Sequence, residues 1–539
     1  MLETRICDSL HKIFSDDAVF PPERDELRLF SGEKGSLQLC LRSDRELELS
    51  VDCSGALPCR LYAVREVFVS LPAYEGVKRS TLLRKEPGLF PDLLEPYSAP
   101  LRVSAGRAYA LWVGVDTSDA PAGTYDMLLT VSDGSETVEK PFTVKVSPVQ
   151  LRKQTLIHTD WFHSDCLSTY YDAPVFGEKY WRIVSAYMKN AGRHGVNCIL
   201  TPLFTPPLDT EVGSERPTVQ LVGVKKTENG WGFDFSMLEK WISLALDAGI
   251  DHFEFSHFFT QWGAVAAPKV LAETPEGLRR VFGWETDSLS PEYHGFLRSL
   301  ASALTDFTDK KGITPRCFVH CSDEPGGEHI RRYKKCAALV HDAFGAYRHI
   351  DALSDPVYYE QGIVPLPVPA ENHIEPFVGR VPSLWTYYCC GQLENEMPNR
   401  FVAIPSIRCR ILGTLLYKYR CEGFLHWGYN FWYSSLSRKQ IDPFADVCSD
   451  GAFPGGDAFC VYPGADGEPL SSLRQKVFYD GLQDMRALQT VEEKLGRAVA
   501  ERIISDNLGE IDFAHYPMDA ETFLRFRDAL FDAASEISR

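Results

Sequence analysis

The segment FVHCSDEPGGEHI holds the two carboxylic acids best placed to do chemistry: Asp323 and Glu324 follow an apolar run and precede Pro325, Gly326 and Gly327. Adjacent side chains of a regular strand point to opposite faces, so the two acids share a site only where the strand has ended. Proline followed by two glycines supplies that ending. Two carboxyls crowded together resist joint ionisation, which raises one pKa and leaves a neutral acid able to donate a proton near pH 7. That is the acid–base chemistry of glycosidic bond cleavage. The same pair also reads as an N-cap for the next helix, with Glu328 adding favourable charge in its first turn. On these residues alone, capping is the preferred reading.

Other polar and aromatic residues fall where strands end. His158, Asp160 and Trp161 follow one apolar run, Asn197 stands at a second, His257 closes a third, and His320 precedes the acidic pair. Later runs end in Asp355, in Trp385 and Tyr387, and in Trp427, Tyr429, Asn430 and Trp432. Carboxylates among aromatic rings suit a sugar, whose C–H faces stack on the rings while polar groups satisfy its hydroxyls. Period two puts Trp427 and Tyr429 on one face. His158-x-Asp160 has metal-ligand residue types, but no HxH, HExxH or third-ligand spacing accompanies it, so hydrogen bonding is the preferred role and neither a catalytic metal nor a cofactor is expected. Cys317 and Cys321 flank His320 in a mostly apolar strand without an activating base, which disfavours a thiol nucleophile.

The elements that must position these residues fall into two patterns. From about 36 to 146, short alternating runs such as LQLCL, YALWVGVD and FTVKVSP are broken by Gly, Pro, Asp and Ser, as in a β-sandwich. After Pro148, apolar strands alternate with amphipathic helices, as in VNCILTP followed by FSMLEKWISLALDAGI, through roughly eight βα-like units. A (β/α)8 barrel fits better than an open doubly wound sheet, which would ordinarily carry a GxGxxG or GxxxxGK[ST] loop. The predicted organisation is therefore a β-sandwich over 1–150 and a TIM-like barrel with C-terminal helices over 151–539. Functional residues of such a barrel lie at the C-terminal ends of its strands.

Composition sets outer bounds. With 539 residues the chain exceeds what one core usually organises. Its formal net charge of −18 and lack of a basic patch argue against a nucleic-acid or anionic-membrane partner. No stretch approaches the roughly 20 apolar residues of a membrane span, and the first residues lack the apolar core of a signal peptide, so the expected address is the cytoplasm. Fifteen cysteines without CxxC pairs read as buried, reduced thiols.

The ordered set PGLFPDLLEP, APAGTYDMLLTV, FVHCSDEP, SLWTYYCC, EGFLHWGYNFW, GGDAFCVYPG and SLRQKVFYDGLQDMRAL resembles glycoside hydrolase family 123 across most of the chain. The resemblance implies a β-sandwich followed by a (β/α)8 barrel, acting as a retaining exo-β-N-acetylgalactosaminidase on a carbohydrate with a terminal N-acetylhexosamine. Catalysis would be substrate-assisted: the 2-acetamido oxygen attacks the anomeric carbon to give an oxazolinium, so no enzyme nucleophile is needed. Asp323 would orient the acetamide, and Glu324 would protonate the leaving oxygen and then activate water. Tyr387 is implied at the acetamide oxygen, Trp385 and Trp427 as walls, and Asn197, His257 and Asn430 in hydroxyl recognition. Two alternatives stay open. One is a conventional pair of Glu324 with Asp355 or Asp457, about 5–5.5 Å apart, acting on a sugar without an acetamide. The other is a carbohydrate-binding protein on the same fold.

Overall fold

A computed structural model describes residues 1–77 and 82–536. Residues 1–150 form two five-stranded sheets. The first is antiparallel, in the order Leu2–Asp8, Lys34–Ser43, Ala108–Asp116, Cys59–Val69 and Gly88–Pro96. The second runs Glu26–Ser31, Thr137–Gln150, Gly123–Ser132, Leu47–Gly55 and Leu101–Val103, and its first pair is parallel. The alternation in LQLCL explains the packing. Leu37, Leu39 and Leu41 meet Val51, Leu129 and Val144 of the other sheet in one hydrophobic core. Cys40 faces the opposite way, against Ile13 and Phe20.

From residue 157 onward, eight parallel strands form a ring in sequence order: β1 (Ile157–Asp160), β2 (Cys198–Thr201), β3 (His252–Phe255), β4 (Cys317–Val319), β5 (Arg348–Ala352), β6 (Leu366–Val368), β7 (Trp385–Tyr387) and β8 (Gly423–His426). β8 pairs with β1, and a single bridge between Ala370 and Tyr387 joins the β6 and β7 ends. This near-closed barrel replaces the open-sheet alternative. Interior side chains form a separate core of Cys198, Leu200, Phe318, Ile350, Trp385 and Leu425. β6 lies among Pro365, Pro367 and Pro369, which mask its strand character in the sequence. The excursions after β2 and β3 add a four-stranded sheet, Gly223–Thr227, Gly230–Asp234, Val270–Thr274 and Gly277–Phe282, above the barrel's own connections.

The helix Leu473–Leu495 closes the architecture. Ser472 caps it by accepting from Gln475 N–H at 3.1 Å, and it packs on Leu412–Lys418, where a Cβ on Gly413 would come within 1.7 Å of the Gly481 carbonyl. Only glycine permits that approach. At its first turn Arg474 meets Asp92 of the first sheet through two 2.9 Å bonds and donates to three backbone carbonyls, locking sheet to barrel with both side chains buried. Among the described residues, no helix is long and apolar enough to cross a membrane.

Candidate active site

The acidic pair sits just past β4, where the chain reverses. Glu324 takes φ +39°, in the left-handed region, and the turn is held from both sides: Glu324 N–H donates to the carbonyl of Ala352, the last residue of β5, at 3.1 Å, and Trp262 N–H donates to the Asp323 carbonyl at 2.9 Å. The following 3-10 turn, Gly327–His329, is capped by Gly326 without a side-chain bond, so neither acid serves as a cap. Strain at such a position is characteristic of functional sites. The Tyr387 hydroxyl, at the end of β7, donates to Glu324 Oε1. It therefore engages the acid rather than standing free for an acetamide. Burial first, and then the Glu324 charge, push Asp323 well above the usual carboxylate range.

Beneath the pair lies a buried charge clamp. His320 directs Nε2 at Glu254 Oε1 (2.6 Å) and Nδ1 at Asp351 Oδ1 (3.3 Å). Trp161 Nε1 donates to Glu254 at 2.7 Å, while Tyr333 and the Cys321 amide donate to Asp351. Burial opposes a charge on His320, but Glu254 and Asp351 outweigh it and push its pKa up to about 9, giving an imidazolium at neutral pH. Donor atoms of His257, His320 and Asp351 do lie within 4.8 Å of one another. The two imidazoles, however, stack at 4.2 Å with an interplanar angle of 29°, so their in-plane lone pairs do not converge on one ion.

Asp323, Glu324, Tyr387 and Trp427 line one cavity at the C-terminal end of the barrel. Trp427 is set by a 3.0 Å bond from Nε1 to Asp457 Oδ2 and by edge contact with Phe453. Burial pushes Asp457 up to about 7, behind this ring. His163, also in the wall, accepts from Arg216 at Nδ1 (3.1 Å) and donates from Nε2 to the Trp427 carbonyl (2.9 Å). Burial and Arg216 lower its pKa to about 4, so it is a neutral imidazole. The excursions after β2 and β3 supply Asp209, Gln261 and Trp262, and the segment after β7 supplies Cys389 and Cys390. Burial raises Asp209 to about 6, while its Oδ2 accepts from Leu436 N–H at 2.9 Å.

The structure places the remaining predicted residues elsewhere. His158 faces outward against Phe424 and Phe478, and Asn197 bonds His158 N–H and the Leu156 carbonyl at the opposite end of the barrel. Asp160 is buried in a paired contact with Arg400 (2.7 and 3.1 Å), which holds it far below the carboxylate range despite burial. His257 is buried against His320. Trp385 occupies the barrel interior at the start of β7, across Gly423, where a Cβ would lie 2.0 Å from its ring. β8 ends at His426, so the period-two argument fails beyond it: Tyr429 reaches Asn190 at 2.9 Å on the helix Glu178–Arg193. Asn430 instead brackets the His163 backbone, accepting at 2.8 Å and donating at 3.1 Å, and so supports the wall without joining it. Of the alternative nucleophiles, Asp355 is exposed and bonds Val357 N–H, and Asp457 lies behind Trp427. Asp209, Gln261 and Trp262 escaped the sequence reading because they sit on long excursions without strand periodicity; LDT and TQWG were the only cues.

The family model of the glycoside hydrolase 123 catalytic domain matches residues 161–491. Among solved structures, a family 123 glycoside hydrolase from Clostridium perfringens, described in terms of glycolipid glycan hydrolysis, superposes with a TM-score of 0.76 at 14% identity, covering 100% of this chain and 98% of that one. An endo-β-1,4-mannanase from Thermotoga petrophila matches at a TM-score of 0.34 and 13% identity, covering 62% of this chain and 77% of that one. No curated protein sequence matches the chain.

Proposed function

The chain belongs to glycoside hydrolase family 123, and from that premise we propose that it is a retaining, exo-acting β-N-acetylgalactosaminidase-type enzyme using substrate-assisted catalysis. The observation that carries this reading is the placement of adjacent Asp323 and Glu324 in one aromatic-walled cavity. Neighbouring acids cannot act as an ordinary nucleophile and acid on opposite faces of a sugar ring; here the attack opposite the leaving oxygen comes from the sugar's own acetamide, so the pair need only serve the acetamide nitrogen and the leaving oxygen.

In this reading the pair shares a proton near neutral pH, because burial and mutual repulsion oppose double ionisation. As the acetamide oxygen attacks the anomeric carbon, its nitrogen gains positive charge beside Asp323, which favours the ionised form there and leaves the proton on Glu324. Glu324 then protonates the leaving oxygen, and its carboxylate deprotonates the water that opens the oxazolinium. Tyr387 orients Glu324 through its hydroxyl bond. Trp427 offers a stacking face, and Asp209, a carboxyl raised to about 6, is suited to hydrogen-bond sugar hydroxyls. The glycolipid glycan in the description of the Clostridium perfringens enzyme supports a glycan substrate. We read the two N-terminal sheets as a sandwich around their shared core, and the enzyme as cytoplasmic, meeting a small imported glycoside.

The test is hydrolysis of nitrophenyl β-N-acetylgalactosaminide against nitrophenyl β-galactoside by wild type, Asp323→Asn and Glu324→Gln. Turnover confined to the acetamido substrate and lost in both variants is expected. Comparable turnover of the plain galactoside would sink the acetamide mechanism.

A further inference from the structure

Trp262 has no part in the chemistry above, yet the chain holds it in an unfavourable conformation. It takes φ +56°, followed by Gly263 at +122° and Ala264 at +55°. In such a left-handed run only the glycine is at ease, and a bulky residue there is an outlier that persists when its surroundings over-determine it. The surroundings do so. Trp262 N–H donates to the Asp323 carbonyl at 2.9 Å, Ala264 N–H to the Thr260 carbonyl at 3.2 Å, and Ser322 Oγ to the same Thr260 carbonyl at 2.8 Å. A Cβ on Gly263 would come within 2.6 Å of the His329 ring. Phe176, another aromatic residue with positive φ, offsets its strain by stacking on Trp181 at 5.7 Å. Among the described residues, no ring, cation or hydrogen-bond partner engages the indole of Trp262, which is 46% exposed at the cavity.

An exposed indole on a backbone fixed beside a sugar cavity is a surface for the apolar C–H face of a pyranose. The buried walls, Trp161 and Phe431, enclose the inner part of the cavity. Trp262 stands outside them and is tied to Asp323, the neighbour of the acid that would protonate the leaving oxygen. We propose that Trp262 is the stacking platform for the leaving-side sugar, so that this enzyme favours substrates whose leaving group is itself a pyranose. This inference rests on the glycosidase reading of the same site.

The test compares wild type, Trp262→Ala and Trp262→Phe on two substrates: a disaccharide of N-acetylgalactosamine β-linked to galactose, and the β-fluoride of N-acetylgalactosamine, whose leaving group has no face to stack. Trp262→Ala should lose about tenfold in kcat/KM on the disaccharide and stay within about twofold on the fluoride, with Trp262→Phe retaining most activity on both. Equal losses on the two substrates, or none on the disaccharide, would overturn the proposal. Saturation-transfer NMR with free galactose separates this inference from the function beneath it. Transfer to the sugar C–H protons that disappears in Trp262→Ala upholds the platform even if neither glycoside is cleaved, in which case the glycosidase reading fails alone. Equal transfer in the two proteins removes the platform.

Discussion

Raising the pH through 9 should loosen the active site from below. His320 is fully buried between Glu254 and Asp351, which push its pKa up to about 9 against the opposing effect of burial; in the unfolded chain it titrates near 6.5. A group whose folded pKa is raised contributes stability that is complete below pH 6.5 and is lost as the pH rises through 9. The gap between the two values corresponds to about 3 kcal/mol. Lys12 and Lys476 act in the opposite sense, because burial lowers both to about 8 and stability therefore grows as the pH climbs from 8 toward the unfolded value of 10.5. The effect is thus read from a comparison of two proteins. Urea unfolding from pH 6 to 10 would be measured for wild type and for a neutral, near-isosteric triad, Glu254→Gln/His320→Gln/Asp351→Asn. Relative to the triad variant, wild type should lose about 3 kcal/mol between pH 6.5 and 9 and above. NMR of the His320 ring nitrogens in wild type supplies the direct titration. A stability difference independent of pH, with a ring that titrates below 7, would refute the buried imidazolium.

Two further outcomes follow from single contacts. Arg474→Met leaves Asp92 buried without its cation and removes the donors to three carbonyls; it should destabilise by about 3–5 kcal/mol. In a chain of this size that lowers Tm by about 3–4 °C, as read by calorimetry, and Asp92→Asn added to the same variant should recover part of the loss. Tyr387→Phe removes the hydroxyl bond that orients Glu324, worth about 0.5–1.5 kcal/mol as a typical net hydrogen bond, so kcat on the acetamido glycoside should fall about 2- to 12-fold while thermal stability changes little.

The legible part of the site was the part written locally. The strand end at Asp323 and Glu324 was legible because an apolar run, a proline and two glycines mark it wherever the strand lies, although those residues alone favoured a capping role. Tyr387 and Trp427 followed from reading strand ends as the rim of a barrel. The same rule misplaced His158, Asn197 and Trp385, since a residue at the start of a strand or on its outward face reads in one dimension like one at the rim. The order of His158 and Asp160 along β1 gives no sign that one ring packs against Phe424 and Phe478 while the other carboxylate pairs with Arg400, 240 residues away.

By itself, then, the sequence determined the alternation of strand and helix, the barrel class and the strand end that carries Asp323 and Glu324, because hydrophobic periodicity and turn chemistry act over a few residues and need no partner; the family came from the resemblance carried by the ordered motifs. The tertiary structure decided what the cavity is made of. Asp209, Gln261 and Trp262 arrive on excursions after β2 and β3, and the charge of His320 exists only because Glu254 and Asp351 converge on it from two neighbouring strands. Contacts between segments distant in the chain have no local signature, since burial and electrostatic coupling depend on distance in space.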